Sequence, residues 1–121
     1  MNYPEDTIDW QAIEYIGQWI DTFQPEHYRQ DDLARRWSRI GKISEELGET
    51  VQAFIGMTGE NPHKGYTHTK QEVLQELADT LITTIIAMQE FTQNSSETRR
   101  LIRSKIVQVE ARLRAYPHKM D

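Results

Sequence analysis

Cysteine is absent from the 121-residue chain. Its absence excludes a disulfide framework, a thiolate nucleophile and a zinc site built on sulfur, and it leaves the redox compartment open. Positive charge is the scarcer sign. Fourteen Lys and Arg stand against 19 Asp and Glu, and a net charge of -5 argues against a general polyanion-binding surface. No nucleic acid polymer is therefore expected as a partner. Long apolar runs are missing too: the longest, around 81–88, contains Thr83 and Thr84 and falls well short of the roughly 20 residues of a membrane span. The acidic opening MNYPEDTIDW lacks the apolar stretch of a signal peptide. These absences predict a soluble, cytoplasmic protein with no membrane partner. Histidines at H-x-x-x-H spacing and a Ser/His/Asp pattern are also lacking. With 37% hydrophobic and 27% charged residues, the balance is that of one globular domain over residues 1–121.

Helical periodicity fills most of the chain. Ile8, Ala12, Ile16, Trp19, Ile20 and Phe23 recur at three- and four-residue steps, with Asp6 or Thr7 available as N-cap and Gln24-Pro25 as the stop. A second helix is predicted over Asp32–Thr58. Leu33, Trp37, Ile40, Leu47, Val51 and Phe54 form its stripe, and polar Ser44 fills one apolar position. Gly48 within that pattern costs about 1 kcal/mol against alanine, which points to a close approach of another backbone or a ligand. Gly59–His68 reads as a loop. Thr69 and Glu72 then form a capping box for a third helix. Its residues Val73, Leu77, Leu81, Ile85 and Met88, flanked by Leu74, Ala78 and Ile82, make it apolar over a wide arc, as in a central helix or one shared with a partner subunit. Asn94 and Glu97 open the last helix, whose Ile102, Ile106, Val109 and Leu113 run at heptad-like steps before Pro117. Four helices in one all-α domain is the expected architecture.

Two of these helices carry acids at three-residue spacing. Glu46 and Glu49, with Glu45 alongside, share one face of the second helix; Glu76 and Asp79 share one face of the third. If the two helices pack antiparallel, the pairs converge. Four ionised carboxylates in one place need a cation or raised pKa values to coexist. Magnesium suits such a set, because it is a hard ion that takes oxygen ligands and bridges to substrate phosphates. With 19 acids in the chain, the alternative for each pair alone is an ordinary solvated face. His63 and Lys64 sit among loop glycines, where cations and backbone N–H groups can meet a phosphate, or where a solvated connection would look the same. Lys105, Arg112 and Arg114 are the last-helix candidates for phosphate contact. Trp37 lies on the apolar stripe and reads as packing rather than as a base-stacking surface.

The run Glu45-Glu46-Leu47-Gly48-Glu49, followed after 26 intervening residues by Glu76-Leu77-Ala78-Asp79, resembles the EExxE…ExxD signature of the MazG-like, all-α nucleotide pyrophosphohydrolases. Lys42-Ile43-Ser44 before the first acids, Thr80-Leu81-Ile82 after the last, and the loop over residues 58–69 are similar to a small single-domain MazG-like subgroup. The resemblance covers about residues 33–92. It implies a four-helix MazG-like bundle in which helices of two subunits pack together, as a homodimer or a dimer of dimers. The implied activity is Mg²⁺-dependent hydrolysis of a (deoxy)nucleoside triphosphate to monophosphate and pyrophosphate, with Mn²⁺ as a possible substitute. Related branches act on dUTP, dCTP or phosphoribosyl-ATP. By position, Glu46, Glu49, Glu76 and Asp79 would be the metal ligands. Glu45 would stand behind them or orient the attacking water, and Lys42, His63 and Lys64 would join the last-helix cations in binding substrate. One departure is visible: larger relatives often end in a Lys-x-x-x-N-x-R-type segment, whereas Val109 follows Lys105 at that spacing and only Arg112, Arg114 and Tyr116-Pro117 echo the rest. The competing expectation is a helical dimer that binds a nucleotide or a protein without turnover.

Overall fold

The computed structural model describes residues 8–92 and 94–116. Among them the chain forms α1 (Trp10–Thr22), α2 (Glu26–Arg29), α3 (Asp32–Thr58), α4 (Lys70–Gln89) and α5 (Ser95–Arg114), and no strand. The all-α class and the four long helices agree with the sequence. The single turn α2 is additional: Pro25 starts it, and its carbonyl accepts from the N–H groups of Tyr28 and Arg29.

The ends of the helices follow local chemistry. Asp31 caps α3 by accepting from the N–H groups of Leu33 and Ala34, and Gly59 ends it in the left-handed region at φ 70°. A side chain at Gly59 would also strike the Tyr66 ring. The Thr69–Glu72 capping box opens α4, and Asn94 opens α5 by accepting from the Glu97 N–H at 2.9 Å. For α1 the cap is Asp9, which accepts from the Ala12 N–H at 3.0 Å. The caps expected at Asp6 or Thr7, and the stop at Pro117, lie outside the described residues.

The main packing is an antiparallel hairpin of α3 on α4. Thr50 meets Thr80 at 3.2 Å near its middle, and Arg35 and Arg39 reach Glu90 at its far end. The seam runs through Arg39, Ile43, Glu46, Thr50 and Ala53 on α3, and through Val73, Glu76, Thr80 and Ala87 on α4. The apolar stripe expected to face the core on α3 therefore points outward, and Trp37 is 67% exposed rather than packed. An antiparallel pair buries one face of each helix, and the polar face can take that place because its groups find partners. Thr50 and Thr80 donate to the carbonyls of Glu46 and Glu76, one turn back, and the arginines pair with carboxylates.

Beside this seam the apolar core is small. Ile13, Ile85 and Ile86 form it, with Ile8, Trp10, Ile20 and Ile82 packed around them, so that α1 lies across one side of the hairpin. Arg39 locks α1 there. Its guanidinium pairs with Asp21, donates to the Gly17 carbonyl at 3.1 Å and reaches Glu90 at 3.4 Å. The close approach expected at Gly48 is not made within the chain, since a Cβ there would meet nothing within 4 Å. Gly56 is the glycine that contact requires: a Cβ on it would overlap the side chains of Thr67 and His68, where the connection folds back and Thr67 donates to the Gly56 carbonyl at 2.9 Å.

Candidate metal centre and cleft

Three-residue spacing turns Glu46 and Glu49 toward α4, and the antiparallel pairing brings Glu76 opposite them. One carboxylate oxygen from each of Glu46, Glu49 and Glu76 lies within 4.8 Å of the other two. Oxygens grouped this closely are ones that a single hard cation, which takes oxygen ligands, can draw together. Glu49 is exposed, while Glu46 and Glu76 are half-buried. The Glu76 Oε2 atom is buried with no hydrogen-bond partner. A buried carboxylate oxygen without a donor is costly, so this atom is one that a cation would satisfy.

Asp79, the fourth acid of the expected set, stands next to the triad rather than inside it. It lines a cleft of about 620 Å³ together with Lys42, Glu45 and Glu46, and Glu46 belongs to both cleft and triad. Lys42 Nζ lies 3.1 Å from Glu45 and 3.7 Å from Glu46, so it is the counter-charge of the acids. The hydrogen bond to Glu45 does most to hold its ammonium above the usual lysine range, and the charges of Glu45, Glu46 and Glu49 add to this against some desolvation. The Glu76 carboxyl is held above the ordinary carboxylate range by burial first, and then by the negative charges of Glu49, Asp79 and Glu46.

The remaining expected substrate contacts are not brought to this cleft within one chain. His63 and Lys64 are exposed in the α3–α4 connection. Glu49 lies nine residues before the end of α3, about 13 Å of helix rise short of that connection. On α5, Lys105 donates to Gln108 at 3.4 Å, Arg114 pairs with Glu110 at 3.1 Å, and Arg112 is exposed. None of the five lines the cleft. Its far wall instead comes from α1, through Ile16, Ile20 and Gln24, and from Ile82 and Ile86 of α4. Nothing in the sequence pairs these residues with the acids. Arg39 was legible in principle, because Arg39, Lys42 and Glu46 fall at steps of three and four and so share a helix face.

The raised Glu76 carboxyl has a pH consequence. A group whose folded pKa exceeds its unfolded value adds stability below the unfolded value, here about 4.5, and that stability is lost as pH rises through the folded pKa. In Glu76→Gln the neutral amide mimics the protonated acid. Its thermal midpoint in chelator should match wild type near pH 4.5 and exceed it increasingly as pH rises. A constant difference between pH 4.5 and 8 would show that Glu76 does not titrate in the way its surroundings dictate.

Comparison of the chain with family models, with curated proteins and with solved structures finds no match. The geometry of the acids and the cleft stands by itself. No helix among the described residues is long and apolar enough to cross a membrane.

Proposed function

We propose that the protein is a Mg²⁺-dependent nucleotide pyrophosphohydrolase of the MazG-like type, splitting a (deoxy)nucleoside triphosphate into monophosphate and pyrophosphate. The observation that carries this reading is the meeting of Glu46, Glu49 and Glu76, with the unpartnered Glu76 Oε2 among them, at the edge of a cleft of about 620 Å³. A general acidic surface would not bury one carboxylate oxygen without a donor. Charged and apolar walls together suit a nucleotide, whose base prefers Ile16, Ile20 and Ile82 and whose phosphates need countercharge.

Glu46, Glu49 and Glu76 would hold the cation, with Asp79 joining them from the cleft side. When bound, a divalent ion offsets the charge of the triphosphate and lowers the pKa of water in the site. Glu45, exposed and paired with Lys42, would stand behind the ligands or orient the attacking water and accept its proton. Lys42 is free to exchange its contacts with Glu45 and Glu46 for a phosphate oxygen once a cation compensates those acids. Mn²⁺ is a natural substitute, and a homodimer or dimer of dimers belongs to the same proposal. The non-catalytic alternative, a helical dimer that binds without turnover, gains no observation of its own.

Calorimetric titration of the metal-free protein with Mg²⁺, with and without a non-hydrolysable nucleotide, tests the site. Binding is expected in at least the second case. A cation that binds only the folded state raises stability by about 2.7 kcal/mol at 100 times its dissociation constant. Absence of binding in both cases would falsify the metal centre. A screen of canonical and modified nucleoside triphosphates, read by pyrophosphate release, identifies the substrate.

A further inference from the structure

The cleft has two ends of different chemistry. Lys42, Glu45, Glu46 and Asp79 make one end charged. At the other, Gln24 of the α1–α2 connection meets Ser38 of α3, and the Gln24 amide donates to the Ser38 hydroxyl at 3.4 Å. The rest of the wall is mainly isoleucine, from α1 and α4. Ser38 precedes Glu45 and Glu46 by seven and eight residues on one helix, so about 10–12 Å of helix rise separates the ends. Seven residues is close to two full turns, which is why both ends open on the same cleft.

Gln24 and Ser38 are half-buried, and polar groups in that position normally use much of their hydrogen-bonding capacity. This pair does not. An amide offers two donors and an acceptor oxygen, and a hydroxyl both donates and accepts. Among the described residues, the only bond these two side chains make is the long one to each other. Other hydroxyls of the hairpin behave differently: Thr50, Thr80 and Thr84 each donate to the carbonyl one turn back. Ser38 makes no such bond among the described residues, so its proton is left for the cleft. With Nε2 turned to Ser38, the Gln24 Oε1 atom remains as an acceptor beside that donor. The one charged group near them, Arg39, is taken up by Asp21, Glu90 and the Gly17 carbonyl. What binds at this end is therefore neutral and carries a donor next to an acceptor. That is the pattern along the pairing edge of a nucleobase.

We infer that Gln24 and Ser38 set the base specificity of the cleft, Gln24 Oε1 accepting an N–H of the base and Ser38 donating to the neighbouring ring nitrogen or carbonyl. The inference rests on the nucleotide reading above and adds a direction to it. Phosphates lie at Lys42 and the acids, the base runs along the isoleucine wall, and its far edge ends at Gln24 and Ser38. The two ends are about as far apart as the 5′ phosphorus of a nucleotide and the pairing edge of its base. A few polar groups set in an apolar wall are what fixes the orientation of a bound ligand. A site that hydrogen-bonds its substrate rejects analogues lacking those groups far more strongly than an apolar pocket does.

Equilibrium binding with Mg²⁺ of non-hydrolysable triphosphates of adenine, guanine, cytosine, uracil and thymine ranks the bases. Gln24→Leu and Ser38→Ala are each expected to shrink the preference between best and poorest base by about tenfold or more. Binding of inorganic tripolyphosphate with Mg²⁺, which involves no base, should be unchanged in both. Gln24→Glu should reorder the bases rather than level them. A carboxylate only accepts, so cytosine and adenine, which present an amino group, gain on uracil and thymine. A side chain that merely pinned α1 to α3 would produce no such reordering. A wild-type protein that ranks all bases equally overturns the inference, as does a ranking unchanged in all three variants while tripolyphosphate still binds. That second result leaves the metal centre standing. Loss of tripolyphosphate binding in the variants makes the pair a support for α1 and overturns the inference too. If wild type binds neither tripolyphosphate nor any nucleotide with Mg²⁺, the proposed function itself fails, and this assignment fails with it.

Discussion

Glu49→Gln and Asp79→Asn are each expected to reduce kcat/KM by about 100-fold or more while leaving the fold intact or more stable. The scale is that reached even when the outer hydrogen-bonding partners of metal ligands are removed. The amide keeps the shape of the acid but is a poorer ligand for a hard cation. Stability should not fall, because Glu49 stands among Glu46, Glu76 and Asp79, and deleting one of these charges relieves repulsion in the metal-free protein. Glu110→Gln is the matched control. Glu110 is an exposed partner of Arg114 on α5, away from the cleft, and an exposed pair of this kind is worth about 0.5 kcal/mol or less. The measurements are kcat/KM on the best nucleotide and the thermal midpoint in chelator. Retained activity in both site variants would remove the acids from the reaction, and unfolding of both would make them structural.

The second large effect concerns Arg39, whose side chain is 6% exposed and joined to Asp21, Glu90 and the Gly17 carbonyl. Arg39→Ala is expected to cost about 3 kcal/mol of folding stability, the lower end of the range for breaking a buried ion pair from one side. The lower end applies because Glu90 keeps Arg35 at 2.8 Å, and Asp21 is about a third exposed and can turn to water. Arg39→Lys should recover little, since one ammonium cannot span three acceptors arranged around a planar fork. Urea titration at a fixed protein concentration is the check, the concentration being fixed because assembly and folding are coupled. A loss under about 1 kcal/mol would mean that α1 is held to the hairpin by the isoleucine core alone. Substrate affinity should weaken too, because α1 carries Ile16, Ile20 and Gln24 of the cleft wall.

Much of the molecule was legible in the sequence because local chemistry decides it. The bounds of α3 follow from an aspartate cap and a glycine stop, the start of α4 from its capping box, and the start of α5 from Asn94. The spacing of Glu46, Glu49, Glu76 and Asp79 placed each pair on one helix face without any tertiary information, and the meeting of Glu46, Glu49 and Glu76 needed only an antiparallel hairpin. Which side of α3 meets α4 was not legible. Periodicity marks a stripe as apolar but does not say whether the surface covering it belongs to the same chain, and here the polar stripe took the seam because its hydroxyls and guanidinium groups found acceptors there. Tertiary structure alone also decided that α1 walls the acidic cleft, that Asp79 stands beside the triad, and that Glu76 Oε2 is buried without a donor. Those properties depend on the distance between groups far apart along the chain, and that distance comes from how the helices pack.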